Sequence, residues 1–278
     1  MNSVEGILLA LASAFFWATN DIFNKKSLLK GYSENFVLWI RFPLGTLLLL
    51  PLGLFHWDLN LTVFLTTFLW LPVEVVASLL FIKGIKDAPL SVGMPFFAFM
   101  PLFSAVFGWV ILGEKVDLTG WAGIILILSG SFIITGGSPS TFFRVSRGAF
   151  YMLVSALLFG LSVVIGKLVI VESNPFFFSW YYTSVMSLGL LPLVGRRELL
   201  RGENYRNPLN IPMGVLFSLG MVTYSWAMIY THASYVASVE RIAIILDVIY
   251  GKIFFGERIR RSFWGSVLMV TGAVVLSL

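Results

Sequence analysis

The sequence contains no cysteine, only two histidines and few charged residues, which make up 12% of its 278 residues. Soluble domains carry about 25% charged residues, whereas 58% of this chain is hydrophobic. Because the chain has no cysteine, disulfides are excluded. Because it is so apolar, a soluble globular fold is not expected. The histidines, His56 and His232, lie far apart and no HExxH pattern accompanies them, so we predict no metal site.

The motifs that mark enzymes and pumps are also missing. The chain has no GxSxG sequence, no nucleotide-binding P-loop and no cofactor motif. We therefore predict that it is not an enzyme, uses no cofactor and is not driven by ATP. Its net charge of +5 does not indicate nucleic-acid binding, because basic residues of membrane proteins collect in cytoplasmic loops.

Long apolar runs predict membrane-spanning helices. The runs are continuous rather than alternating, which favours helices over a β-barrel, and each approaches the length of about 20 residues that a bilayer requires. We predict an all-α polytopic membrane protein, a monomer in the lipid bilayer, with ten transmembrane helices at 4–29, 35–56, 61–86, 90–112, 117–135, 147–171, 174–195, 212–231, 234–255 and 260–277.

The second half of the chain repeats the first. Gly113-Glu114 corresponds to Gly256-Glu257 at an offset of 143 residues, the first helices correspond at 142, and Trp39 corresponds to Trp180 at 141. We predict one five-helix repeat at 1–137, a linker at 138–146 and a second five-helix repeat at 147–278. Because five is odd, the second repeat is inverted in the membrane, as in secondary transporters. Duplication retained for packing alone is the alternative.

The repeated segments resemble the drug/metabolite transporter superfamily. The resemblance rests on residues 101–114 and 121–130, on their repeat at 255–272 and on the opening sequence 11–17, and it covers essentially the whole chain. It implies the ten-helix branch with paired EamA-type repeats. It leaves the substrate open among amino acids, nucleotide derivatives, sugars, amines and drugs. Where the family has a proline early in the ninth helix, this chain has Ile244.

Ionisable residues inside the predicted spans are candidates for a functional site, because a charge in lipid is costly. Glu74 lies near the middle of helix three, with no basic residue at its depth in that helix, and Asp247 lies near the middle of helix nine. Asp21 follows Asn20 in helix one. We predict that these residues contact the small-molecule substrate or exchange a coupling proton. For Glu74 the alternative is a structural carboxyl group hydrogen-bonded inside the bundle.

Other charged residues are predicted to form structural ion pairs, because buried charges persist mainly when paired. The predicted pairs are Asp21 with Arg41, and Glu240 with Lys167 or Arg241.

Four aromatic residues in the repeat-interface helices are predicted to wall a pocket for a flat or cationic solute: Trp17, Trp180, Tyr181 and Tyr224. Ordinary packing is the alternative for each ring. Pro95 and Pro101 remove backbone donors inside the predicted fourth helix, which favours a kink and is interpreted as a gating hinge or as a fixed bend.

These patterns together predict a secondary transporter of small organic metabolites, such as amino acids or amines, in the plasma membrane. It is expected to work by alternating access, with proton coupling as one option. An uncoupled facilitative exchanger of the same fold is the alternative, and a channel or receptor is a more distant one.

The distribution of basic residues predicts the orientation of the chain. Short loops rich in Lys and Arg stay in the cytoplasm. Fifteen of the 19 basic residues fall on the side reached after helix one, called side A: Lys25, Lys26, Lys30, Lys83, Lys86, Arg144, Arg147, Arg196, Arg197, Arg201, Arg206, Lys252, Arg258, Arg260 and Arg261. Side A is therefore predicted to be cytoplasmic, with both termini outside. Ten-helix relatives are usually drawn with both termini inside.

Reporter fusions at Leu278 test this orientation. We expect an alkaline phosphatase fusion to be active and a fluorescent protein, which matures only in the cytoplasm, to stay dark. A fluorescent fusion without phosphatase activity would place the C-terminus in the cytoplasm and reverse the assignment.

Overall fold

The computed structural model describes residues 4–112, 118–134, 146–171, 173–230, 236 and 239–276. The Gly113-Glu114 pair, His232, Arg144 and the side chain of Lys167 lie outside the described parts. All regular secondary structure in the described ranges is helical. The helices are α1 (Val4–Leu29), α2 (Glu34–Phe55), α3 (Leu61–Asp87), α4 (Leu90–Phe97), α5 (Met100–Leu112), α6 (Leu118–Ile134), α7 (Arg147–Val171), α8 (Pro175–Leu190), α9 (Arg196–Leu200), α10 (Gly202–Tyr205), α11 (Asn210–Tyr230), α12 (Ile242–Phe255) and α13 (Arg260–Leu276).

Five stretches of the described chain are long and apolar enough to cross a membrane: Val4–Leu29, Glu34–Phe55, Leu61–Asp87, Leu90–Ile111 and Arg147–Ile165. An all-helical membrane-type fold is therefore shown, while the count of ten spans stays a prediction. The polar segment predicted as the loop between the seventh and eighth spans holds the short helices α9 and α10.

Local signals in the sequence place the helix ends. Ser33 begins α2 and its hydroxyl accepts the amide of Phe36 at 3.3 Å. Asn60 begins α3 in the same way through the amide of Val63 at 2.9 Å. At the other end of a helix, Gly256 has a φ of 68° and terminates α12, a backbone conformation that glycine adopts without steric cost.

The predicted fourth helix is not continuous, because α4 ends at Phe97 and α5 begins at Met100. Proline lacks an amide hydrogen, so Pro101 cannot donate to the carbonyl of Phe97. The intervening amides turn tightly instead: Ala98 donates to Pro95 and Phe99 to Phe96, at 3.1 and 3.3 Å. The prolines thus produce a full break at Ala98 and Phe99 where the sequence predicted a kink.

The two halves of the chain exchange helices. In the first half α1 packs against α11, the third long helix of the second half, and in the second half α7 packs against α3. The remaining major contacts join equivalent helices, α2 with α8 and α6 with α13. Neither half therefore buries its apolar faces on its own.

Equivalent helices pack antiparallel. The start of α2 meets the end of α8, where the side-chain amide of Asn35 donates to the carbonyl of Leu193 at 2.8 Å. The end of α2 meets the start of α8, where His56 stacks on Phe176 at 5.1 Å between ring centroids. An antiparallel pair of equivalent helices is the contact that a two-fold axis perpendicular to them produces.

Glycines bring α6 and α13 together with the same antiparallel sense. A Cβ atom on Gly130 would lie 2.5 Å from the carbonyl oxygen of Gly265, and one on Gly272 would lie 2.7 Å from that of Gly123. Such contacts leave no room for a side chain, so the two backbones touch directly.

The outer surface is apolar, as lipid contact requires. Leu118, Phe55 and Leu47 expose 86%, 85% and 68% of their surface, and Trp57 and Trp264 are also exposed. Apolar exposure on this scale marks a surface that is covered by another phase rather than by water.

Replacement of Gly272 by alanine is expected to lower the free energy of unfolding of the purified protein by about 1–3 kcal/mol, because the added methyl group meets rigid backbone. Gly202→Ala is the matched control, since nothing lies within 4 Å of a Cβ atom there. Melting curves in detergent measure both variants. Equal curves for Gly272→Ala and Gly202→Ala would contradict the close approach of α6 and α13.

Candidate functional site

A cavity of about 430 Å³ lies between the two halves. Its volume falls in the range of about 300–1,000 Å³ that is usual for small-molecule sites. Every long helix except α6 and α13 contributes to its wall, and the polar lining residues are Asn20, Asp21, Arg41, Glu74, Ser78, Ser162, Tyr182, Tyr224, Glu240, Arg241 and Asp247.

The cavity lies at a helix break in the first half and at the corresponding start of α12 in the second half. Phe97 and Met100, on either side of the break between α4 and α5, line it. Glu240 and Arg241, at the N-terminal end of α12, also line it. At the offset of 143 residues, Phe97 corresponds to Glu240. Secondary transporters place their substrate sites at such interrupted helices between repeats.

Glu74, on α3, is held by two hydroxyl groups from the other half. Ser162 on α7 donates to one carboxylate oxygen at 2.5 Å and Tyr182 on α8 donates to the other at 2.6 Å. Only 5% of Glu74 is exposed. Because each carboxylate oxygen of Glu74 has a donor, much of the cost of burying the carboxylate is offset.

Glu240 and Arg241 form a second polar group in the cavity wall. The hydroxyl of Ser13 donates to Glu240 at 2.7 Å, and Arg241 lies 3.9 Å from the same carboxylate. Arg241 also contacts the sulfur of Met100 at 3.5 Å. Of the two partners predicted for Glu240, Arg241 is thus adjacent to it.

Asp21 and Arg41 are neighbours without a direct ion pair. The carboxylate of Asp21 accepts the amide of Asn24 at 3.1 Å and interacts with Arg41 only at longer range. Asn20 uses its amide to bind the carbonyl of Met213 on α11 at 2.6 Å, so it joins the two halves.

Two charged groups in the cavity lack hydrogen-bond partners among the described residues. Both oxygens of Asp247 and the Nε of Arg41 are buried and unpaired. Asp247 is fully buried and interacts electrostatically with Asp21. The structure thus brings Asp21, Glu74 and Asp247 to one cavity and leaves the Asp247 carboxylate without a hydrogen-bond donor among the described residues.

The four predicted aromatic residues divide into two pairs. Trp17 and Tyr224 line the cavity and pack on each other at 5.5 Å between centroids. Trp180 packs against Trp57 at 5.9 Å, and the hydroxyl of Tyr181 bonds to Thr67 at 2.8 Å. The structure therefore does not bring Trp180 and Tyr181 to the cavity, and ordinary packing accounts for both.

Sequence reasoning missed Tyr182 and Ser162, the two donors to Glu74. The repeat contained the signal that identifies them: Ser162 corresponds to Asn20 at the offset of 142, and Tyr182 corresponds to Arg41 at 141. Residues equivalent to a candidate in one half are candidates in the other.

Comparison with known proteins identifies the sequence class. The profile of the EamA-like transporter family matches residues 4–136 and again residues 146–278. An uncharacterized transporter of Archaeoglobus fulgidus is 23% identical over 98% of this chain and 97% of its own. One of Clostridium kluyveri is 26% identical over 98% of this chain and 92% of its own. A solved crystal structure, 14% identical, superposes with a TM-score of 0.63 over 97% of this chain and 95% of that one, which shows the fold alone.

Replacement of Tyr182 by phenylalanine is expected to reduce the free energy of unfolding by about 1.5–3 kcal/mol, the usual worth of a hydrogen bond to a charged group. The ring contacts remain, and one oxygen of Glu74 loses its donor. Tyr151→Phe makes the same chemical change in a surface hydrogen bond with Arg147 and is expected to change stability much less. Thermal unfolding in detergent measures both, and equal losses would show that the bond to Glu74 has no special weight.

Proposed function

The chain belongs to the EamA-like transporter family, and from this premise we propose that it carries small organic metabolites, such as amino acids or amines, across the plasma membrane as a secondary transporter. The family and its named relatives are transporters rather than enzymes. The observation that supports the proposal most directly is the central cavity, which is lined by residues of both halves. A solute bound there contacts both halves at once.

We propose ten transmembrane spans arranged as two inverted five-helix repeats. The antiparallel packing of α2 with α8 supports this arrangement, because an inverted repeat places equivalent helices in opposite directions. The positive-inside rule then puts the end that carries Lys83, Lys86 and the segment Arg196–Leu200 in the cytoplasm.

Alternating access requires contacts between the halves that break at one end while the other end stays closed. At side A, Glu257 of the second half accepts the backbone amides of Leu90 and Ser91 at 3.0 and 2.8 Å. At the other end, Asp58 of the first half accepts the amide of Asn174 at 2.7 Å. Each end thus carries a carboxylate-to-amide link that water replaces when that end opens.

Glu74 is the proposed coupling residue. It is buried in the cavity and its two hydroxyl donors come from the second half, so relative motion of the halves changes its surroundings. A carboxyl group whose hydrogen bonds change between two states binds a proton more tightly in one of them.

Counterflow in proteoliposomes tests the function. Solutes that raise the melting temperature of the purified protein, screened from amino acids, amines, nucleosides and sugars, are loaded inside and exchanged against labelled solute outside. We expect saturable exchange, and a proton ionophore should abolish accumulation. Exchange that the ionophore does not affect would indicate an uncoupled exchanger, and the absence of exchange for every bound solute would contradict the proposal.

The variant Glu74→Gln tests the coupling residue in the same assay. We expect it to lose accumulation driven by a proton gradient and to retain expression and a monodisperse elution profile. Glu203→Gln makes the same change on the surface, where Glu203 pairs with Arg201 at 3.5 Å and its side chain is 79% exposed, and it should transport normally. Normal accumulation by Glu74→Gln across pH would remove Glu74 from the mechanism.

A further inference from the structure

Two opposite charges in the cavity remain without hydrogen-bond partners in the described part of the chain. Glu74 has the hydroxyl groups of Ser162 and Tyr182, and Glu240 has Ser13 and Arg241. Arg41 and Asp247 have no such partner, and both are buried, with 7% and 0% of their surfaces exposed. An unpaired buried charge is costly, so both groups are suited to a ligand that supplies the missing partners.

The guanidinium of Arg41 is held by rings rather than by hydrogen bonds. It lies 5.0 Å from the ring centroid of Phe42 and 4.7 Å from that of Phe217. Cation–π contacts fix the plane of the group and leave its N–H donors unused. A planar guanidinium whose N–H donors are unused is suited to bind a carboxylate, which accepts two parallel N–H bonds.

The carboxylate of Asp247 presents the complementary requirement. Both of its oxygens lack donors among the described residues, and the carboxylate of Asp21 is close enough to interact with it electrostatically. Two adjacent carboxylates attract a cation, and an ammonium group offers three N–H donors to share between them.

We propose that the transported solute is a zwitterion, an amino acid whose carboxylate binds Arg41 and whose ammonium binds Asp247 and Asp21. This proposal rests on the transport function proposed above and names its substrate class. A zwitterion supplies one charge of each sign and leaves the net charge of the cavity unchanged. An amine alone leaves Arg41 unpaired, and a carboxylic acid alone leaves Asp247 unpaired.

An apolar wall is available for the rest of the solute. Phe81, Phe97 and Phe159 pack edge to face, at 5.0 Å between Phe81 and Phe97 and 5.5 Å between Phe97 and Phe159, and all three line the cavity. This wall favours an uncharged, apolar side chain over a charged one.

Matched ligands test the proposal on the unmodified protein. Leucine and the other neutral amino acids are compared with the amines that lack their carboxylate and the acids that lack their amino group, by isothermal titration of the purified chain. We expect at least one amino acid to bind at least about tenfold more tightly than either of its two fragments, because each fragment loses a charged pair. An amine or an acid that binds as tightly as its parent, or no binding by any neutral amino acid, would overturn the proposal.

Two variants assign the ends of the ligand. Arg41→Gln should weaken binding of the amino acid without weakening binding of the amine, and Asp247→Asn should weaken binding of the amino acid without weakening binding of the acid. Arg197→Gln, on the exposed surface, should change none of them. Equal loss for all three ligands in either variant would show that the residue does not bind the predicted end.

Counterflow separates this proposal from the transport function. Exchange of an amine or a sugar without binding of amino acids would leave the transport function intact and refute the zwitterion. Tight binding of amino acids without exchange would support the zwitterion and contradict the transport function.

Discussion

The helix break between α4 and α5 depends on one constraint: backbone amides and carbonyls inside a membrane need partners within the protein. A chain that interrupts a helix in contact with lipid loses several kcal/mol for each exposed group. The break at Ala98 and Phe99 is therefore tolerable only where other helices surround it. Ala98 is fully buried and Phe99 is 3% exposed, because α7 of the second half packs against α4 and α5 and α12 packs against α4. The cavity and the packing of the halves are thus two consequences of the same requirement.

The charged groups in the cavity differ in whether they have hydrogen-bond partners. Hydroxyl donors from the second half hold Glu74 of the first, and a serine of the first half holds Glu240 of the second. These bonds cross between the halves, so they stabilise one relative position of the halves and must rearrange in another. Arg41 and Asp247 make no such bonds within the described residues. Their polar atoms are therefore the ones in the cavity that a ligand can satisfy.

Sequence reasoning reached the class and much of the cavity for a physical reason. Lipid excludes charge, so Asp21, Glu74 and Asp247 had to face protein or solute, and the structure gathers all three. The resemblance to drug/metabolite transporters is confirmed by the two family matches. The sequence did not show which face of each helix points into the cavity. Tyr181 and Tyr182 are adjacent and point about 100° apart in a helix of 3.6 residues per turn, and only packing against α3 decides which of them faces the cavity. The pairing of Arg41 was predicted on proximity to Asp21, whereas its environment is set by the rings of Phe42 and Phe217.

The internal repeat gives the molecule a symmetric frame and an asymmetric site. Trp17 and Phe159 correspond at the offset of 142, and both line the cavity with aromatic rings. Asp21 corresponds to Val163, Arg41 to Tyr182 and Phe97 to Glu240, and all six line the same cavity with different chemistry. The alternating access proposed above uses this symmetry, because one repeat moves against the other around a site at their interface. A symmetric lining would bind a solute equally in two opposed orientations and would double every charge. Divergence at these positions removes that degeneracy, because it places the free guanidinium of Arg41 and the free carboxylate of Asp247 at different points and so gives a bound solute one preferred orientation.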